Sequence, residues 1–170
     1  MISESATILI VEDEQDIREL LAYNLEKEGY ATVQAADGKE GLDLARSRKP
    51  DLILLDLNLP FMDGHFICRE LRRTSNVPII IVTSRSSEVD ELQSMHLGAD
   101  DYVTKPYNLQ ILLARIARVL QRVYETKDSN HMKVGEVTMD ISKSMLTYRG
   151  NSVDLTKNEL RIMHCLFQNK

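Results

Sequence analysis

The sequence has little of what would mark a disulfide-rich or membrane-spanning protein. Its two cysteines, Cys68 and Cys165, lie far apart within apolar helical patterns, which predicts buried free thiols and no disulfide framework. No apolar run approaches the roughly 18 residues that a membrane span needs. The N-terminus also lacks the basic and apolar regions of a signal peptide. These absences predict a protein of the cytoplasm with no membrane partner.

The sequence also lacks a basic surplus. Residues 1–124 carry 14 Lys and Arg against 20 Asp and Glu, a net −6, whereas residues 125–170 carry 7 against 6, a net +1. Neither part is basic enough to indicate nucleic-acid binding by itself. The hydrophobic pattern changes at the same place. We therefore expect a domain at residues 1–124, a polar linker at residues 125–130 and a second domain at residues 131–170.

What the first part does have is a regular alternation of short apolar runs and helical periods. The runs are too brief for helices and predict strands, and the apolar residues between them recur with the spacing of one helical face. Five successive strand–helix units predict an α/β fold, a doubly wound five-stranded parallel sheet with helices on both faces. The predicted strands are residues 7–11, 30–35, 51–56, 77–82 and 100–104.

The second part has shorter strand candidates and one helix. Residues 132–140, 145–149 and 152–155 predict strands, and Thr156 with Glu159 predicts a capping box at the start of the helix. Three short strands and one helix are too few to bury a self-sufficient core. We therefore expect the second domain to be incomplete in this sequence.

Polar side chains stand at the ends of the predicted strands of the first domain. Glu12 and Asp13 follow the first strand, Asp56 ends the third, Thr83 follows the fourth, and Lys105 comes just after the fifth. All strands of a parallel sheet end at the same edge, so these groups are expected to converge in one crevice. Three carboxylates that lie together repel one another unless a cation sits between them. A hard divalent ion with oxygen ligands, Mg²⁺ above all, fits this set.

These residue types in this arrangement point to phosphoryl transfer onto an aspartate. Asp56 is the predicted acceptor, because a carboxylate is a competent nucleophile in this chemistry. Glu12, Asp13 and Asp56 are the predicted metal ligands, completed by a backbone carbonyl of the following loop, with Asn58 as first candidate. Lys105 is a point cation suited to a phosphate oxygen, and Thr83 offers a hydroxyl donor. Catalysis of this kind consists mostly of positioning and charge stabilisation.

Taken in order, these motifs resemble the receiver domain of two-component response regulators over residues 6–124. Each motif alone is weak evidence for this family, whereas the whole set in this order is specific for it. The second part is similar to the start of the winged-helix DNA-binding domain of the OmpR/PhoB subfamily. The matching segments are residues 10–14, 55–60, 63–64, 83 and 98–107 for the receiver, and residues 137–140 and 152–160 for the winged helix.

The resemblance implies a flavodoxin-like sheet of strand order 2-1-3-4-5 and a transcription regulator that is not an enzyme. It implies Mg²⁺-dependent phosphorylation of Asp56 by a sensor histidine kinase. Lys105 and two switch residues then transmit the change: the Thr83 hydroxyl moves toward the new dianion, and the Tyr102 ring swings into the space vacated. It also implies a cis peptide bond between Lys105 and Pro106.

The same resemblance implies a homodimer formed through the fourth helix, fifth strand and fifth helix. Glu91 and Ile111 depart from the subfamily, which usually carries a basic residue at the first position and an acidic one at the second. An apolar contact or a weaker dimer is therefore expected. The recognition helix and wing would follow residue 170, so we expect DNA binding of the full-length parent and not of this chain. The charged residues available on the dimer face are Asp100, Asp101, Arg115, Arg118 and Arg122.

Two other readings of the site fit the sequence less well. A phosphatase of the haloacid dehalogenase type also uses an aspartate nucleophile, but it needs a second aspartate two residues later, where this chain has Asn58. A flavin-binding module needs a loop rich in Ser, Thr or Gly after the first strand. The acidic residues 12–14 would instead repel a phosphate in the absence of metal.

Overall fold

The computed structural model describes residues 5–129, 131–141 and 143–168 of the chain. The chain divides into two compact units, Met1–Leu120 and Gln121–Lys170. The domain boundaries given above remain predictions. In chain order the elements are β1 (Thr7–Val11), α1 (Gln15–Lys27), β2 (Ala31–Ala35), α2 (Gly38–Arg48), β3 (Leu52–Leu55), α3 (Gly64–Arg72), β4 (Ile79–Thr83), α4 (Glu88–His96), β5 (Asp101–Thr104), α5 (Leu109–Ser129), β6 (His131–Val134), β7 (Val137–Asp140), β8 (Met145–Tyr148), β9 (Asn151–Asp154) and α6 (Lys157–Gln168).

The first unit is built on a five-stranded parallel sheet of order β2-β1-β3-β4-β5, which confirms the predicted fold class. The central strand β3 and its neighbour β4 are buried along their whole length. Continuous burial is the pattern of strands covered on both faces, whereas alternation marks a sheet with one wet face. The sheet therefore presents its carboxyl edge, and not a face, to solvent and ligands.

Two apolar clusters fill the space between the sheet and its helices. Successive strand residues point to opposite faces, so Ile8 and Ile10 belong to one cluster, and Leu9 and Val11 to the other. The first cluster packs α1 and α5 against the sheet, and the second packs α2 and α3. The thiol of Cys68 is free and buried, as predicted, and it lies in the second cluster. The same prediction for Cys165 falls outside the side chains that the structure describes.

Side-chain caps fix the starts of α2 and α3 at the carboxyl edge of the sheet. Asp37 caps α2 by accepting from the Glu40 amide at 2.9 Å, and Asp63 caps α3 by accepting from the His65 amide at 2.8 Å. Gly64 allows α3 to start directly against the end of β3. A Cβ at that position would lie 2.6 Å from the carbonyl oxygen of Asp56. The loop that follows Asp56 is thus held close to the strand end.

The second unit contains a four-stranded antiparallel sheet of order β6-β7-β8-β9, followed by α6. The prediction of a single strand over residues 132–140 is wrong. Gly135, with φ of 62°, provides a turn in the left-handed region, and the segment folds back as the β6–β7 hairpin. The capping box of α6 is confirmed, because the Thr156 amide donates to Glu159 Oε2 at 2.8 Å.

Helix α5 continues to Ser129, through most of the segment predicted as a linker. Polar composition alone suggested irregular structure there. Residues 125–129 contain neither glycine nor proline to end the helix. Among the helices of the described residues, none combines the length and apolarity required to cross a bilayer.

Candidate metal centre

Three carboxylates meet at the carboxyl edge of the parallel sheet. Glu12 and Asp13 directly follow β1, and Asp56 directly follows β3. One oxygen from each can be chosen so that all three lie within 4.8 Å of one another. Glu12 and Asp56 are 2 % and 4 % exposed, whereas Asp13 is open to solvent. The structure thus brings the sequence-predicted acidic residues together, with one carboxylate on the solvent side.

The ammonium of Lys105 bridges the two buried carboxylates. Its Nζ lies 2.7 Å from Glu12 Oε2 and 2.7 Å from Asp56 Oδ2. Burial lowers the pKa of Lys105, but the ion pairs with Asp56 and Glu12 outweigh burial and hold the pKa above its ordinary value. The cis peptide bond between Lys105 and Pro106 is present, as the resemblance implied.

One ammonium does not satisfy the acidic cluster. Burial raises the pKa of Glu12 above its ordinary value, despite the opposing hydrogen bond from Lys105. In the described part of the chain, Glu12 Oε1 is the buried side-chain oxygen that lacks a hydrogen-bond partner. A buried carboxylate oxygen without a partner costs stability. The site therefore fits a hard cation, which would take up this oxygen together with those of Asp13 and Asp56.

The loop after β3 is ordered by hydrogen bonds to Asp56 and to the β4–α4 loop. The Asn58 amide donates to Asp56 Oδ1 at 2.9 Å, which closes a turn around this carboxylate. The Asn58 side chain donates to Ser84 Oγ at 2.7 Å and accepts from Arg85 Nε at 2.8 Å. A metal contact from the Asn58 carbonyl stays a prediction.

The two predicted switch residues, Thr83 and Tyr102, contact the same neighbour. Thr83 is fully buried at the end of β4, and its Oγ1 accepts from the Arg85 amide at 3.4 Å. Tyr102, on β5, is 8 % exposed and donates its hydroxyl proton to the Arg85 carbonyl at 2.9 Å. Burial, followed by the charge of Asp90, raises the pKa of Tyr102 and keeps the hydroxyl protonated. The tyrosine ring is therefore already turned inward in this structure.

Two acidic residues of the predicted dimer face are engaged within the chain. Asp100 accepts from Arg72 at 3.1 Å, and Asp101 from Arg115 at 2.8 Å. Arg118 and Arg122 are exposed. A dimer held by an apolar contact, or a weaker dimer, stays a prediction. The helices of this face also expose four large apolar side chains. These are Val89, Leu92, Met95 and Ile111.

Sequence reasoning missed two arginines that hold the backbone of the site. Arg18, on α1, donates to the carbonyl oxygens of Glu12 at 2.6 Å and Asp13 at 3.2 Å. Arg85 holds the loop after β3 by donating to the Asn58 side-chain oxygen at 2.8 Å and to the Leu57 carbonyl at 3.4 Å. Arg85 lies only two residues after Thr83, so its position near a strand end was the available signal. Its partners are distant in sequence, and spacing does not reveal them.

The chain matches a family model described as response regulator receiver domain over residues 8–117. Similar solved structures include the BeF3-activated N-terminal receiver domain of Klebsiella pneumoniae RstA, with 36% identity, coverage of 67% of this chain and 97% of that one, and a TM-score of 0.65. A CheY-like receiver domain protein of Methanospirillum hungatei has 31% identity, coverage of 72% and 99%, and a TM-score of 0.70. A two-component response regulator from Clostridium difficile has 32% identity, coverage of 70% and 98%, and a TM-score of 0.68.

Proposed function

Because this chain belongs to the family of response regulator receiver domains, we propose that Asp56 accepts a phosphoryl group from a sensor histidine kinase in a Mg²⁺-dependent reaction. The observation that carries the proposal is the grouping of Glu12, Asp13 and Asp56 beside the Lys105 ammonium. In the transfer, an Asp56 carboxylate oxygen forms a bond to phosphorus as the bond from phosphorus to the kinase histidine breaks. The imidazole leaves with the electron pair and takes a proton from solvent.

Each residue of the site has a defined part in this reaction. Glu12, Asp13, Asp56 and the Asn58 carbonyl would hold Mg²⁺, which when bound offsets the repulsion between Asp56 and the phosphoryl group and polarises its oxygens. Lys105 supplies a fixed positive charge for a phosphoryl oxygen. The Asn58 amide, which donates to Asp56 at 2.9 Å, holds the acceptor carboxylate in place.

Thr83 and Tyr102 are the proposed switch. A dianion on Asp56 attracts a hydroxyl donor, and the Thr83 hydroxyl stands at the end of the strand beside β3. The inward Tyr102 ring and its bond to the Arg85 carbonyl form the arrangement proposed for the phosphorylated state. Phosphorylation would then stabilise this arrangement rather than create it.

The proposed output is control of transcription through the OmpR/PhoB type of architecture. Support comes from the second unit, in which an antiparallel sheet is followed by a capped helix, as expected for the beginning of a winged-helix domain. We propose that this unit belongs to a DNA-binding domain. The homodimer is proposed to form through α4, β5 and α5, with exposed Leu92 and Ile111 contributing apolar contact.

Incubation with acetyl phosphate tests the acceptor chemistry without the kinase. We expect the intact mass of the chain to increase by one phosphoryl group in the presence of Mg²⁺. Chelation of the divalent ion with EDTA is expected to remove nearly all of the product. Equal adduct formation with and without the divalent ion would contradict the proposal, because the carboxylates would then not need a cation to accept the group.

A further inference from the structure

The Arg85 side chain joins three separate segments next to the metal centre. Its Nε donates to the Asn58 side-chain oxygen at 2.8 Å, and its Nη2 donates to the Leu57 carbonyl at 3.4 Å. Nη2 also lies 2.6 Å from the carboxylate of Asp63, the cap of α3, and Nη1 lies 3.6 Å from that of Asp90 in the first turn of α4. One guanidinium thus contacts the loop after β3 and the starts of both following helices.

The main chain of Arg85 is held by both proposed switch residues. Its amide donates to Thr83 Oγ1 at 3.4 Å, and its carbonyl accepts from the Tyr102 hydroxyl at 2.9 Å. A displacement of Thr83 or Tyr102 therefore acts directly on Arg85. The side chain of the same residue reaches the loop that carries the predicted metal ligand Asn58.

A buried polar pair connects α3 to α4 beside these contacts. The Ser94 hydroxyl donates to the Asp90 carbonyl at 2.8 Å, so its single proton is already used. His65 Nε2, 2.9 Å from the same hydroxyl oxygen, must then be the donor in that contact. Both side chains are buried. The two helices are therefore joined by a specific hydrogen bond as well as by Arg85.

The Arg85 guanidinium faces two carboxylates, those of Asp63 and Asp90, and the geometry of its contacts is directional. A guanidinium has a rigid planar fork of donors, so it can fix several acceptors at once, which a lysine ammonium cannot do in the same way. Burial raises the pKa of Asp63, but the hydrogen bonds from Arg85 and from the His65 amide, together with the charge of Arg85, outweigh burial and leave the pKa below its ordinary value. The Arg85–Asp63 pair is thus a favourable contact despite partial exposure.

We propose that Arg85 is a positioning residue that holds the metal-binding loop in place and transmits occupation of the metal site to α4. This inference rests on the function proposed above. If the Asn58 carbonyl held an ion, Leu57 and Asn58 would adjust, and the Arg85 side chain would pass this adjustment to Asp63 and Asp90. This route is separate from movement of the Thr83 hydroxyl toward a phosphoryl group, and it operates before phosphorylation.

The test compares Mg²⁺ binding and α4 dynamics in the wild type and the Arg85→Ala variant. Mg²⁺ is titrated and followed by amide chemical shifts, and hydrogen exchange of the α4 amides is measured with and without the ion. Residues that orient metal ligands typically contribute a factor of ten or more to affinity, so we expect about a tenfold loss in Arg85→Ala. We also expect the change in α4 exchange on Mg²⁺ addition to disappear.

Two further variants separate positioning from a general effect on stability. Asp63→Asn keeps an oxygen that can cap α3 but removes the charge facing Arg85, and it should change Mg²⁺ affinity in the same direction by a smaller factor. The double variant should lose less than the product of the two single factors, because both act through one contact. Arg73→Ala is the control for loss of one surface arginine; its partner is Glu70, and its side chain is 72 % exposed.

The result that would overturn the inference is unchanged Mg²⁺ affinity and an unchanged α4 response in a folded Arg85→Ala variant. Lower thermal stability alone would likewise reject the positioning role, since a purely structural arginine gives that result. Failure of the wild type to bind Mg²⁺ at Asp13 and Asp56 would instead reject the proposed function. The two failures are therefore distinguishable within one set of titrations.

Discussion

Replacement of Asp56 by asparagine is expected to abolish the phosphoryl adduct formed with acetyl phosphate and Mg²⁺. The amide has the shape of the carboxylate but is a poor nucleophile, and it cannot form the acyl phosphate. Its side-chain oxygen can still accept from the Asn58 amide, which now bonds to Asp56 Oδ1. Intact mass spectrometry of the variant should therefore show only the unmodified chain, while its thermal unfolding stays cooperative.

Asp51→Asn is a matched control at the opposite end of the same strand. Asp51 precedes β3, and its carboxylate accepts from the Thr7 amide at 3.0 Å, a bond that an asparagine oxygen can retain. We expect this variant to be phosphorylated like the wild type, because residue 51 lies at the amino edge of the sheet, at the opposite end of β3 from the site. An adduct that persists in Asp56→Asn, or one lost equally in Asp51→Asn, would contradict the assignment of the acceptor.

Replacement of Lys105 by methionine is expected to destabilise the Mg²⁺-free protein strongly. The ammonium lies 2.7 Å from both Glu12 and Asp56, and removing it leaves two buried carboxylates without a counter-charge. Breaking a buried ion pair from one side costs about 3–5 kcal/mol. We expect a loss at the lower end of this range, because solvent reaches the site beside exposed Asp13. Addition of Mg²⁺ should restore much of the loss, since the ion supplies the missing positive charge.

Urea unfolding at neutral pH, with and without Mg²⁺, measures these differences in the free energy of unfolding. The loss in the free energy of unfolding of Lys105→Met should also shrink as the pH is lowered, because protonation of a buried carboxylate removes a negative charge that no longer has a counter-charge. Lys39→Met, which alters an exposed lysine on α2, is the control and should unfold like the wild type. The interpretation would be wrong if Mg²⁺ stabilised the wild type as much as it stabilised Lys105→Met.

The location of the site could be predicted from sequence because hydrophobic runs end where polar side chains begin. Leu52–Leu55 are buried on both faces of the sheet, so the next residue, Asp56, can only emerge at its carboxyl edge. The same argument applies to Glu12 after β1 and to Thr83 at the end of β4. A parallel sheet converts these separate strand ends into one cluster, which is why few residues sufficed to predict it.

The contacts between side chains within the site could not be predicted, because they join residues that are distant in sequence and depend on how far each side chain extends. The contacts of Arg85 with Leu57, Asn58 and Asp63 span 28, 27 and 22 residues of sequence. The local pattern places Arg85 near a strand end but does not distinguish it from an arginine that extends into solvent. The inward position of Tyr102 likewise depends on the path of the β4–α4 loop, which no periodicity describes.

The second unit shows a different limit of sequence reasoning. The apolar and polar residues of Met132–Asp140 permit one long strand or a hairpin, and only the turn geometry at Gly135 decides between them. A glycine within a strand pattern was a usable signal for a break. The extension of α5 to Ser129 shows that a polar segment lacking helix breakers can stay helical.

The most direct test of the central claim is a crystal structure with Mn²⁺, located by its anomalous scattering. Mn²⁺ suits an all-oxygen site of the same geometry as Mg²⁺ and is visible where Mg²⁺ is not. We predict one ion at coordination distance from the carboxylates of both Asp13 and Asp56, with Lys105 still in contact with Glu12 and Asp56. An ion bound only to solvent-exposed residues such as Asp13 and Glu14, with Asp56 still held by Lys105 alone, would contradict a shared metal centre.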